Sequence, residues 1–246
     1  DHSTDATSEV VLRWAEKFPF IRLVKTTSED KHLPGSKVIR AFYKGFETLD
    51  NDYDIICKFD ADLIFPENYL EKVAKIFNDN PKCGMAGGFC SIEIKGQWEV
   101  ENLTSKDHIR GALKAYRKEC FKAIKGLRIA MGWDTADELL SQYHGWEIIT
   151  IPSLHVKHLK PTGKTYDKTA QHKQGEAFYR LRYGFWLTLI ASIKLSFKKG
   201  KPFLAVDYLS GYFKAKKSES PFLVSEDEGR FIRELRWQKI KQKLVK

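Results

Sequence analysis

The chain opens with a polar cluster, Asp-His-Ser-Thr-Asp at 1–5, and then places Val10, Val11, Trp14 and Phe18 at helical spacing. Short polar side chains accept hydrogen bonds from the free N–H groups of a first turn, so the pattern predicts a capped amphipathic helix ending near Phe18. Ile21 to Val24 predicts a short strand. Pro34-Gly35 then breaks the chain before a second helix, which carries Val38, Ala41, Phe42 and Phe46 on one side. The run Tyr53 to Phe59, YDIICKF, is short and apolar at nearly every position, as in a strand covered on both faces. Strand, helix, strand predicts a parallel arrangement.

Further along, Pro66 predicts a helix start, because a missing N–H costs nothing in a first turn; Tyr69, Leu70, Val73, Ile76 and Phe77 form the inner side of a helix reaching Asn78. Met85 to Ile94 and Gln97 to Val100 predict an antiparallel pair around Lys95-Gly96. Gly111 to Tyr116 predicts a strand and Lys118 to Ile124 a helix. Gly132-Trp133-Asp134-Thr135 leads into a helix to His144, which Gly145 ends, and Trp146 to Ile151 is strand-like. After Pro152 a polar loop with Lys160-Pro161-Thr162-Gly163 is expected, then helical stretches near 170–197, 202–216 and 226–245. The order predicts an α/β fold, a mixed and mainly parallel sheet flanked by helices with a helical C-terminal extension. There is no internal repeat.

Composition refines this picture. With 42% hydrophobic residues among 246 and charges spread along the chain, the protein is globular. The net charge of +10 is uneven: residues 1–150 carry 21 Lys and Arg against 24 Asp and Glu, residues 151–246 carry 21 against 8. Between Phe178 and Lys217, aromatic and aliphatic residues alternate with Arg180, Arg182, Lys194, Lys198, Lys199, Lys201, Lys214, Lys216 and Lys217. Two readings stay open for these helices. They lie on an anionic membrane surface, or their apolar faces pack on the first domain. The longest apolar run, residues 184–193, is too short to cross a bilayer, which takes about 18 residues or more. Cys57, Cys83, Cys90 and Cys120 show no CxxC pair, which predicts reduced thiols in a cytoplasmic, reducing compartment; with the basic helices on a membrane, the chain is expected to be peripheral at the inner face of the cell membrane. The Asn102-Leu103-Thr104 triplet fits a glycosylation acceptor but is a frequent chance match.

The candidate chemistry begins at CKFDADLIFPENYL, residues 57–70, where Asp60 and Asp62 follow a buried strand. Ligands of open α/β sheets bind beyond the carboxyl ends of strands. Two carboxylates one residue apart at such an end can converge on one hard divalent cation, which in turn neutralises a diphosphate. A strand-end Asp pair also serves as a turn and cap device.

Taken in order, Asp-His-Ser-Thr-Asp at 1–5, Phe-Asp-Ala-Asp at 59–62, the strand Gly-Ala-Leu-Lys-Ala-Tyr-Arg at 111–117, Gly-Trp-Asp-Thr-Ala-Asp-Glu-Leu at 132–139, and His158 with Lys-Pro-Thr-Gly at 160–163 resemble the family 2 glycosyltransferases. The likeness spans about residues 1–165, and the basic tail is similar to the extension of bacterial members that build surface or exported glycans. It implies a GT-A type fold, with a catalytic domain over 1–165 and a basic amphipathic helical extension over 166–246. The activity implied is that of an inverting hexosyltransferase using Mg²⁺ or Mn²⁺, a UDP- or GDP-linked sugar donor, and a glycan or lipid-linked acceptor. Members of the family start with a strand, a helix and a second strand before the position matching Asp1, so these N-terminal strands are expected to be missing here.

The resemblance also implies roles. Asp62 matches the direct metal ligand, Asp60 the residue facing the ribose or a metal-bound water, and His158 a group completing metal coordination or touching the diphosphate. Asp137 matches the general base, with neighbouring Glu138 as the alternative and Asp134 in the same motif. His155 lies at odd spacing from His158, so an extended chain places it on the opposite face. Asp1 matches a base-facing aspartate, while Asp5 caps the first helix. Lys37 and Arg40 are candidates to reach the nucleotide phosphates, one of them an ordinary solvated helix face. Trp133 is either a wall for a sugar ring or part of the core.

Two other classes fit less well. A sugar-phosphate nucleotidyltransferase needs a glycine-rich phosphate loop, which the chain lacks. A non-catalytic module binding membrane or nucleic acid explains the tail, but the carboxylates near 60 and 137 repel phosphate, so no nucleic acid partner is expected.

Overall fold

The computed structural model describes residues 3–26, 35–101, 107–160 and 168–244, without the side chains of 168–171 and 244. Helices α1 (Thr7–Lys17) and α2 (Ser36–Phe46) come first. Strand β1 (Ile55–Phe59), the two-residue β2 (Leu63–Ile64), helix α3 (Tyr69–Asp79) and the hairpin β3 (Cys83–Ile94) and β4 (Gln97–Val100) follow. Then come β5 (Leu113–Arg117), α4 (Lys118–Ala123), α5 (Trp133–Tyr143) and β6 (Glu147–His158). The chain continues as α6 (Lys168–Arg180), α7 (Gly184–Lys198), α8 (Leu204–Lys217) and α9 (Glu226–Leu244).

The sheet runs β1-β5-β3-β6-β2, with β4 paired to β3. Every neighbouring pair among the described residues is antiparallel except β3 with β6. The expectation of a mainly parallel sheet is corrected in this respect, because β5 inserts between two strands that would otherwise be neighbours. The strands β1, β3 and β6 nevertheless point the same way, since two antiparallel steps separate β1 from β3. Their carboxyl ends therefore share one end of the sheet.

Two other expectations are revised. Residues 21–24 form no strand. Strand β6 continues past Pro152 to His158, because Pro152 falls where the β3–β6 register slips between Gly87 and Phe89, a place that asks no ladder N–H of it. The β3–β4 turn forms at Lys95 and Gly96, with φ of 51° and 81°, the left-handed pair that a two-residue hairpin requires.

One connection constrains the shape of the whole sheet. Strands β1 and β2 lie at opposite ends of the strand order, four spacings apart, which is about 19 Å in a flat sheet. Only residues 60–62 join them, and four Cα steps reach about 14 Å at most. The sheet must curl so that its edges approach, and the Asp60-Ala61-Asp62 link closes the curl at the end where β1, β3 and β6 terminate.

The main core contains Ile56, Met85, Leu113, Tyr116 and Leu140 with Phe178, Leu181, Tyr183 and Ile232, so the C-terminal helices pack on the sheet domain. Tyr143 meets Phe231 edge-on at 5.6 Å, and Arg128 Nε donates to the Leu223 carbonyl at 2.9 Å. Helices α6 and α8 cross with backbone nearly touching: a Cβ on Gly175 would stand 1.7 Å from the Tyr208 carbonyl oxygen, and one on Gly211 would stand 2.0 Å from that of His172. Either glycine replaced by Ala should therefore destabilise the fold by about 1–3 kcal/mol, read as a lower urea midpoint with an unchanged slope.

Candidate active site

The site grows from two buried lysines. Lys58 of β1 and Lys114 of β5 are direct cross-strand partners, at 4% and 0% exposure. Like charges placed opposite one another repel, and a buried ammonium is stable only with anionic partners. Each lysine has such partners. Lys58 Nζ pairs with Asp60 Oδ1 and donates to the Gly111 carbonyl at 3.0 Å. Lys114 Nζ meets Asp137 Oδ1 at 2.7 Å and Glu138 Oε1 at 3.2 Å, and donates to the Asp134 carbonyl. Both ammoniums lie on the Trp133 ring, at 5.3 and 5.7 Å from its centroid. Trp133 is 6% exposed, and a Cβ on Gly111 would stand 2.7 Å from its edge. It is core rather than an open wall for a sugar.

The acidic residues divide by access. Asp60, Asp62 and Asp134 keep side chains 35%, 29% and 35% exposed, whereas that of Asp137 is 1% and that of Glu138 10% exposed. Asp137 is held by Lys114 and by the Tyr116 hydroxyl, and it accepts the Glu138 N–H at 2.6 Å. Burial lifts its pKa despite Lys114, while Glu138 is held below its ordinary value, burial notwithstanding, by Lys114 and His108. The carboxylate expected to act as base is thus closed off, and its neighbour is engaged with His108 at 2.9 Å and the Ile109 N–H at 2.9 Å. Asp134, in the first turn of α5 after the left-handed Gly132, is the open member of the motif. Burial works to raise its pKa, but His108, Lys114 and Arg110 hold it well below the carboxylate range, so it is ionised at neutral pH.

At the curled end, His158 Nε2 lies 3.7 Å from Asp62 Oδ2. A cation with bonds of about 2.1 Å holds two donors no more than about 4.2 Å apart, so this pair fits one ion. Behind it, donor atoms of Cys90, Glu101 and His158 lie within 4.8 Å of one another. Among the described residues, His158 Nδ1 and both Glu101 carboxylate oxygens are buried with no hydrogen-bond partner, although Arg110 Nη2 approaches Glu101 Oε2 to 3.2 Å. His155 is exposed on the other face of β6, as its spacing predicted. The four thiols are unpaired, with burial pushing Cys57 and Cys83 up to about 11 and Cys90 and Cys120 up to about 12.

Of the nucleotide candidates, Asp1 lies outside the described residues. Lys37 is half-buried in the first turn of α2 and Arg40 is exposed. The start of α2 abuts the segment leading into α5, with Gly35 packed on Ala130 and Met131. Lys58, Lys114, His108 and Glu101 escaped the sequence reading. The legible signal was two lysines inside apolar strands, KF after YDIIC and LKAYR, where a solvated charge has no place.

A model of the glycosyl transferase family 2 matches residues 1–126. The chain belongs to that family. No curated protein sequence matches it. Among solved structures it is similar to a mannosyltransferase from Pyrobaculum calidifontis, solved in complex with GDP-Man and Mn²⁺, with a TM-score of 0.50 at 15% identity, covering 94% of this chain and 67% of that one. This likeness extends the shared glycosyltransferase fold into the helical C-terminus.

Two measurements test the charge network. Lys114→Met should cost about 3–5 kcal/mol in chemical denaturation, since it strands two buried carboxylates. The second concerns His108. Burial opposes its charge, but hydrogen bonds to Asp134 and Glu138 raise its pKa from 6.5 to about 9. A group with a raised folded pKa contributes fully below the unfolded value, so up to about 3 kcal/mol should fade as pH rises from 6.5 through 9. In His108→Gln that slope should disappear.

Proposed function

We propose that this family 2 glycosyltransferase moves a hexose from a nucleoside-diphosphate donor to a lipid-linked or glycan acceptor with inversion. The observation that carries the reading is the meeting, at one curled sheet end, of an open aspartate pair with a histidine whose Nε2 faces Asp62.

Asp62 and His158 would hold Mg²⁺ or Mn²⁺, and that ion, when bound, neutralises charge on the diphosphate leaving group. Lys58 engages one oxygen of Asp60, leaving Oδ2 for the donor ribose or a water. Asp134 is the proposed base, in place of the enclosed Asp137. Its carboxylate accepts the acceptor hydroxyl proton as the hydroxyl oxygen bonds to the anomeric carbon and the bond from that carbon to phosphate breaks. His108 and Lys114 keep Asp134 ionised, which leaves it able to accept a proton but lowers its basicity, so the proton moves only as the new bond to the anomeric carbon forms.

Glu101 has a donor atom within 4.8 Å of one on His158. A carboxylate that closed onto Nδ1 would hold the proton there and leave the Nε2 lone pair toward Asp62, the usual support for a metal-binding imidazole. A groove of about 1420 Å³ runs from His108 and Glu138 between α5 and the C-terminal helices. Its walls include Leu187, Ile190 and Ile240 and its rim Lys194 and Lys239, which suits an anionic, chain-bearing acceptor.

Thermal shift with UDP- and GDP-sugars should show stabilisation that requires Mn²⁺ or Mg²⁺. Asp62→Asn should remove the metal-dependent part, and a full shift in that variant would refute its role. Asp134→Asn should retain donor binding and lose turnover by about 10²-fold or more. Glu101→Gln should weaken Mn²⁺ binding by about 10- to 100-fold with the fold intact.

A further inference from the structure

Helix α7 is built inside out. Beside Leu187 at 4%, its inward face buries Thr188, Ser192 and Ser196, each 0% exposed. Thr188 and Ser196 return their hydroxyl hydrogens to their own helix, at 2.7 Å to the Gly184 carbonyl and 2.8 Å to that of Ile193, while the Ser192 hydroxyl has no partner among the described residues. The outward face carries Trp186, Ile193 and Phe197, with Trp186 66% and Phe197 69% exposed, and Ile190 stands at the edge it shares with the groove. A helix at a water-facing surface has the opposite arrangement, large apolar residues inward and polar ones outward. The outward stripe is about 16 Å long and single-sided.

The surface continues into α8. Phe203 and Val206 are 85% and 65% exposed, and Phe185 of α7 meets Phe213 of α8 at 6.0 Å, both of them outward. Seven lysines and a single acidic residue, Asp207, lie between residues 184 and 217. The cations crowd one another: burial depresses the pKa of Lys194, with Lys243, Lys198 and Arg236 adding to the effect, and burial with Lys201 depresses that of Lys199. Large exposed apolar patches mark contact surfaces, and this one comes with a cationic border.

We propose that the outward face of α7 and the start of α8 dock into the interface of an anionic lipid bilayer. Trp186, Phe197 and Phe203 enter the acyl boundary, and Lys198, Lys199 and Lys201 meet lipid phosphates. Charge selects lipid over a second copy of this chain, because a symmetric self-contact sets the same lysines against each other. No helix among the described residues is long and apolar enough to cross a membrane, so the attachment is in-plane. The docking needs none of the residues at the Asp62 site and stands or falls separately from the transfer chemistry.

Flotation of the whole chain with phosphatidylcholine vesicles containing about 30% phosphatidylglycerol tests this. The protein should float with these vesicles, bind pure phosphatidylcholine at least tenfold less, and detach as salt rises. Trp186→Glu, Phe197→Glu and Phe203→Glu together should reduce binding at least tenfold with an unchanged circular dichroism spectrum. Lys198→Gln, Lys199→Gln and Lys201→Gln together should do the same by a route that leaves the apolar face intact. Asp62→Asn should float like the parent, which separates this test from that of the active site. A parent chain that stays with the lipid-free fraction, or triple variants that float as well as the parent, overturns the proposal. So does a dimer that the glutamate variant disperses without any vesicle binding.

Discussion

Two ammonium groups facing each other inside a strand pair govern this site. Lys58 and Lys114 occupy opposed positions of the β1–β5 ladder with almost no access to water, and neither is tolerable there without a counter-charge. That requirement draws Asp60 down from the link after β1 and Asp137 and Glu138 in from α5. Trp133 fills the space between the two cations. Segments far apart in the chain are thereby gathered at one place by electrostatics as much as by packing.

The same network sorts the carboxylates into enclosed and open ones. Asp137 and Glu138 are held by Lys114, and Glu138 also by His108, which leaves Asp137 1% and Glu138 10% exposed. Asp134, three residues before Asp137, keeps an open edge, and Asp60 and Asp62 keep theirs. Sequence adjacency within the Asp134-Thr135-Ala136-Asp137-Glu138 stretch conceals this division, since helix geometry turns each side chain to a different environment.

Most of the elements were legible in the sequence. Periodicity placed α2, α3, α5 and the C-terminal helices, Lys95-Gly96 marked the hairpin, and the strand-end position of Asp60 and Asp62 pointed to the sheet end where the candidate site lies. The strand directions were not legible, because the insertion of β5 between β1 and β3 depends on tertiary pairing that a local pattern does not encode. Pro152 was misleading, since a register slip on the neighbouring strand lets β6 pass through it. The enclosure of Asp137 was hidden for a related reason: its partners, Lys114 and Tyr116, become neighbours only once β5 is in place. Of the two readings of the basic helices, the packing on the first domain is seen directly, one side of the extension sharing the core while the outward side of α7 is left open.

The three-residue link from β1 to β2 ties opposite margins of the sheet through a turn at Ala61 and Asp62. A turn so short, with a strand on each side, leaves its own side chains little freedom to wander, since they shift only when the margins or the curvature shift. Asp60 and Asp62 thus inherit the stiffness of an entire hydrogen-bonded ladder, which an ordinary surface loop does not offer. Geometry at the cleft and closure of the β-sheet are one mechanical property of this chain.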